Sequence, residues 1–271
     1  MAGQPSPLLR RAARVPVTAA VICASVFAAG PAPADDGSST DPGAQQLAAD
    51  AKKELLDARS LHLVLANRAD GDRDARAPAA FDLRLDEDGN CAGSLRMGTG
   101  GADGGSVDLV KRGDEVWMKP DATFWKTQVS GGSGELAAQL FGDKYVHGTT
   151  DDPMLDGLAD ACDLDAFRGQ LESGSARDAQ EKLTKGATTT VDGTRVVPLT
   201  GQDEDNRITL YVTEDAPHRL VRATEQGPDE SVTMTLTDYD RPVPSSTPSA
   251  DESVDVSKLR DVDPSGTPPQ V

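Results

Sequence analysis

Residues 81–97 read FDLRLDEDGNCAGSLRM, and their pattern decides the class of fold. Phe81, Leu83 and Leu85 alternate with Asp82, Arg84 and Asp86, the period of a strand with one buried and one wet face. Asp88-Gly89-Asn90 supplies turn residues, and Cys91 to Met97 returns as the partner strand. Upstream, Leu61, Leu63 and Leu65 alternate with His62, Val64 and Ala66. Downstream, a glycine-rich loop, Gly98 to Gly105, leads to a strand at Val107 to Val110. Arg112-Gly113-Asp114 turns the chain, and Glu115 to Lys119 runs back. Short polar turns between alternating strands describe an antiparallel meander, not a βαβ series.

The flanks differ in period. Asp41 has the character of an N-cap, with Pro42 at the first helical position. Leu47, Ala51, Leu55 and Ala58 then follow at helical spacing on one face, predicting an amphipathic helix that ends near Ser60. After the first set of strands the chain turns helical again. Glu135 to Phe141 carries Leu136, Ala137 and Leu140, Asp152-Pro153 opens a helix through Met154, Leu155, Leu158 and Ala159, and a third holds Leu164, Phe167 and Leu171. Strands resume with Thr188 to Val191, the turn Asp192-Gly193, and Arg195 to Thr200. Ile208 to Thr213, His218 to Thr224 and Ser231 to Tyr239 follow, each junction holding Asp, Gly, Pro or Asn. The expected fold is α+β: one large, strongly twisted antiparallel sheet folded around a few helices.

Composition bounds the rest. Arg10, Arg11 and Arg14 precede an uncharged run from Val17 to Ala29, and Ala32-Pro33-Ala34 offers small residues for cleavage, the order of a secretory signal peptide over residues 1–34. The rival reading, a permanent anchor, needs roughly 20 apolar residues, and this run is shorter. Cys23 sits inside the run after Ile22, where a lipobox requires a small residue, so the mature chain is read as secreted. Residues 35–41 are a polar linker, residues 42–243 one domain, and the Pro/Ser-rich residues 244–271 a flexible tail.

Removal of the leader leaves Cys91 and Cys162, an even pair that in an oxidising compartment reads as one disulfide. The loop it closes, about 70 residues, is worth about 4 kcal/mol in the chain-entropy model. Two buried free thiols are the alternative. The net charge of −18 disfavours nucleic acid and anionic headgroups. Two distant cysteines and three scattered histidines offer no metal-ligand spacing, and no cofactor motif occurs.

Catalytic constellations are weak. His62 and His218 fall in or beside strands and His147 in a polar loop, with no GxSxG elbow to supply a nucleophile. Asp86-Glu87-Asp88-Gly89-Asn90 is closer to a hairpin turn than to a calcium loop, since it lacks the distal Glu. What remains is apolar: Trp117, Met118, Phe124 and Trp125 cluster in a chain only 4% aromatic. They read either as plain core or as the wall of an apolar cavity, the usual lining of ligand sites. Leu63, Phe81, Leu83, Leu109, Trp117, Phe124 and Trp125 are the candidate cavity residues. Within them Trp117 and Phe124 are assigned to the cavity wall, with Val116 and Met118 as general core.

The run Val116-Trp117-Met118-Lys119-Pro120-Asp121-Ala122-Thr123-Phe124-Trp125-Lys126 resembles the exported LppX/LprAFG family of lipoprotein-like proteins. So do Asp192-Gly193 followed by Val196-Val197-Pro198-Leu199, and Thr237-Asp238-Tyr239-Asp240-Arg241-Pro242-Val243. The resemblance spans about Gln45 to Val243 and extends distantly to LolA-type lipoprotein carriers. It implies a half-barrel: a curved antiparallel sheet whose helix-covered concave face holds acyl chains. It further implies a non-catalytic, extracytoplasmic binding protein for a lipid or lipidated protein, with transient membrane contact. The rival is a protein-interaction or envelope-stress sensor module of the RseB type, on the same scaffold with a filled core.

Overall fold

Asp41 caps helix α1 (Pro42–Asp57) as its sequence predicts: its Oδ1 accepts from the backbone N–H of Gly43 at 2.9 Å and of Ala44 at 3.4 Å. The structure, a computed structural model, describes residues 41–69, 78–98, 104–129, 133–152, 155–173, 183–203 and 205–256. The expected leader and most of the linker lie outside them. Among the described residues no helix is long and apolar enough to cross a membrane.

After α1 come β1 (Ser60–Ala69), β2 (Pro78–Asp86), β3 (Cys91–Met97), β4 (Ser106–Arg112) and β5 (Glu115–Pro120). A helical insert follows: α2 (Ala122–Gln128), α3 (Ser133–Phe141), the strand β6 (Tyr145–Thr149), α4 (Asp156–Ala159), a 3-10 turn at Asp160–Cys162, and α5 (Leu164–Ser173). The second set of strands is β7 (Thr184–Lys185), β8 (Thr189–Val191), β9 (Thr194–Asp203), β10 (Asn206–Thr213), β11 (Leu220–Gln226) and β12 (Glu230–Thr237), with β13 (Ser253–Asp255) last.

All thirteen strands form one open sheet in the order β13-β6-β5-β4-β3-β2-β1-β12-β11-β10-β9-β7, with β8 also on β9. Every pairing is antiparallel except β13 on β6. The two sets meet where β1 pairs with β12, Leu63 opposite Leu236. Curvature wraps the sheet into an unclosed half-barrel, and α1, Leu155, Leu164, Phe167 and Leu171 fill its helix-side face to make one continuous core.

Three elements depart from the sequence reading. Residues 122–128, given no element in the sequence reading, form α2, because Asp121 caps it by accepting from the N–H of Phe124 at 2.7 Å. Residues 145–149, expected as a polar loop, form β6. The flexible tail expected from residue 244 is corrected over residues 244–256. Arg112 donates to the carbonyls of Pro244 and Ser246, Lys144 Nζ to that of Asp251, and Val256 N–H to that of His147. This strap ends with Val256 buried in the core. It is polar for most of its length, and hydrogen bonds to its backbone carbonyls, which composition does not reveal, hold it down. Residues 257–271 lie outside the described residues.

Candidate functional site

The candidate residues divide between the two faces of the sheet. Register places Leu236, Leu63, Leu83, Gly93, Leu109, Met118 and Val146 in one row from β12 to β6. Paired residues share a face, so this row is the apolar floor beneath the helices. Leu63, Leu83 and Leu109 are all buried in it, and half-buried Phe81 stands one rung away opposite Leu65 and Leu95. Val116 and Met118 face the same core, as expected.

Trp117 lies elsewhere. Its neighbours across the sheet are Val110 and His147, which alternation places on the opposite face, and its ring stacks on His147 at 4.5 Å and 10°. Phe124 is on α2, over the helix side of the sheet. Trp117 and Phe124 therefore do not share a wall. The period of β5 demanded that one set face outward, and the larger side chain took the outer face.

Above the floor, α2 lies on β4 and β5, and α3 packs chiefly on α2. Trp125 drops from α2 into the core, 2% exposed, with Phe124 edge-on at 6.2 Å and Phe141 tilted at 6.3 Å. Two glycines permit this approach. A Cβ on Gly134 would sit 2.3 Å from the carbonyl oxygen of Trp125, and one on Gly105 would sit 2.1 Å from the backbone nitrogen of Phe124. Lys126 and Glu135 link the two helices at 3.4 Å. On the outer side of α3, Leu136 and Leu140 are 47% and 54% exposed, the large apolar side chains left open among the described residues.

The other helical cover is built differently. Cys162 is bonded to Cys91, the pair expected from sequence, so the 3-10 turn before α5 is welded to β3. Leu155, Leu164 and Leu171 are 0%, 1% and 0% exposed. Arg168 donates to the carbonyl of Ala58 and pairs with Asp165 at 2.7 Å, tying α5 to the end of α1. Beside this weld an open cleft of about 240 Å³ is lined by Asp86, Glu87, Asp156, Asp160, Asp163 and Lys111, among others. Burial, then Asp156 and Asp163, raise the carboxyl of Asp160 above the ordinary aspartate range. Asp86 spends Oδ1 on its own turn, accepting from the N–H groups of Asp88 at 3.1 Å and Asn90 at 2.9 Å.

The histidines act within the sheet. His62 Nε2 meets Asp82 Oδ1 at 2.6 Å and its Nδ1 meets Thr237 Oγ1 at 3.1 Å, joining β2, β1 and β12 on the outer face. His218 Nδ1 bonds the carbonyl of Thr213 at 3.1 Å.

No protein-family model matches the chain, and no curated protein matches it in sequence. Among solved structures, the chain is similar to LprF from Mycobacterium bovis, with 17% identity, a TM-score of 0.51, and coverage of 79% of this chain and all (100%) of that one. The lipoprotein LppX of Mycobacterium tuberculosis matches at 15% identity and a TM-score of 0.46, covering 76% of this chain and 100% of that one. A LolA-superfamily protein of Nitrosomonas europaea matches at 12% identity and a TM-score of 0.22, over 74% of this chain and 94% of that one. The likeness to LprF shows the fold, the curved half-barrel implied by the sequence resemblance.

Proposed function

We propose that this chain is an extracytoplasmic, non-catalytic binding protein that holds an acyl chain, free or carried by a lipid or lipidated protein, against the apolar floor of its half-barrel. The observation that carries this reading is the α2–α3 hairpin. It packs on β4 and β5 with Phe124, Trp125 and Phe141 in contact with one another, yet presents Leu136 and Leu140 to solvent in a chain of net charge −18. Apolar side chains left open over an apolar interior mark an interaction site more often than a finished surface. Trp117, on the outer face, drops out of the proposed contact set. Leu63, Leu83, Leu109, Phe124 and Trp125 remain in it, with Phe81 at the margin.

A second reading is favoured by one specific observation: the interior is filled, since a single continuous core occupies the helix-side face. A packed half-barrel suits a protein-interaction module that uses its surface alone. Titration of methyl decanoate into the protein, read by tryptophan emission, separates the two. A saturable change is expected from the buried Trp125; a flat titration leaves the interaction module as the better account.

A further inference from the structure

Trp125 carries a donor that the fold leaves unused. Its ring is 2% exposed, and its Nε1–H is buried with no hydrogen-bond partner among the described residues. A buried donor without an acceptor is destabilising, and nearly all such groups in folded proteins are satisfied. Phe124 and Phe141 pack on its ring, and Leu109 and Met118 belong to the same core. Trp125 sits on one helix of the pair whose other helix exposes Leu136 and Leu140. An open apolar rim, an apolar floor and one unspent neutral donor between them are complementary to a long alkyl chain ending in one acceptor.

We propose that the α2–α3 hairpin is the mouth of the binding site and that Trp125 Nε1–H is its polar anchor, donating to the carbonyl oxygen of a neutral acyl ester. This rests on the acyl-binding reading above and adds the recognised group. The acceptor is neutral for two reasons. The one nearby cation of the hairpin, Lys126, is paired with Glu135 at 3.4 Å. The chain's net charge of −18 also opposes a free carboxylate.

The test compares methyl decanoate with tridecane by calorimetry on the native protein and on Trp125→Phe, which keeps an aromatic side chain and removes the N–H. The native protein should bind the ester about tenfold tighter than the alkane, the usual worth of one net hydrogen bond. Trp125→Phe should lose that preference, binding the ester no tighter than the alkane. In the 15N-labelled native protein, the Trp125 indole resonance should move downfield with the ester and not with the alkane, a readout that does not need the variant to fold. An unchanged ester preference in Trp125→Phe, or a still indole resonance at saturating ester, overturns the anchor while leaving acyl binding in place. Binding of neither probe by the native protein would sink both readings together.

Discussion

Two helical covers lie on the same sheet, and they are built to different standards. The α4–α5 cover is fixed: a disulfide joins it to β3, three of its own leucines are fully buried, and Arg168 reaches the end of α1. The α2–α3 cover is held by aromatic packing on one strand pair, exposes two leucines, and leaves the Trp125 donor unsatisfied. Local stability follows the density of buried contacts and cross-links, so the second cover is the one that opens at lower cost. The half-barrel thus has a clamp at one place and a door at another.

The contrast predicts unequal mutational effects. Cys162→Ser should lower stability by about 2–5 kcal/mol, because it frees a loop closed across most of the first sheet half. Leu140→Ala should change stability by no more than about 0.5 kcal/mol, since the side chain is largely in water, yet it should weaken methyl decanoate binding. Chemical denaturation of both variants checks the pair. Equal losses would erase the distinction between clamp and door.

A smaller effect concerns the acidic cleft beside the clamp. Burial, with Asp156 and Asp163 adding repulsion, raises the folded-state pKa of Asp160 above its unfolded value. The folded protein then holds that proton more tightly than the unfolded chain, so stability falls as pH rises from the ordinary aspartate value to the raised one. Asp160→Asn removes the penalty. Thermal melts should place the variant slightly above the native protein at neutral pH, with the gap closing in acid. A gap that persists well below the ordinary aspartate range would assign the gain to something other than ionisation.

Sequence carried much of the fold because local signals agreed with the global plan. Alternation in β2, β3 and β10 survives into their register, Asp41 caps α1, and Cys91 meets Cys162. The rest was hidden for identifiable reasons. Helix α2 contains Thr123, Phe124 and Trp125, residues with strand propensity, and becomes helical through the Asp121 cap and its packing on the sheet. The strap of residues 244–256 buries little beyond Val256 and gains most of its fixation through its carbonyls. In β5, Val116, Trp117 and Met118 are all apolar, so periodicity could not say which set faced inward. The helices under which the interior residues pack decided it, and Trp117 went to the other side with His147. Of the candidate site, the leucine floor was legible. The significance of Leu136 and Leu140 was not, because an amphipathic pattern cannot show that its apolar face lacks a partner.

Hydrogen exchange with and without methyl decanoate tests the central claim most directly, comparing amides of residues 122–141 with those of residues 155–173. Without ligand, the α2–α3 amides should exchange by a lower-energy opening than those of the disulfide-clamped cover. Saturating methyl decanoate should slow exchange across α2 and α3 while leaving α4 and α5 unchanged. Equal protection of both covers without ligand, or no change in α2–α3 at saturating methyl decanoate, would contradict the account of a half-barrel with one fixed and one opening cover.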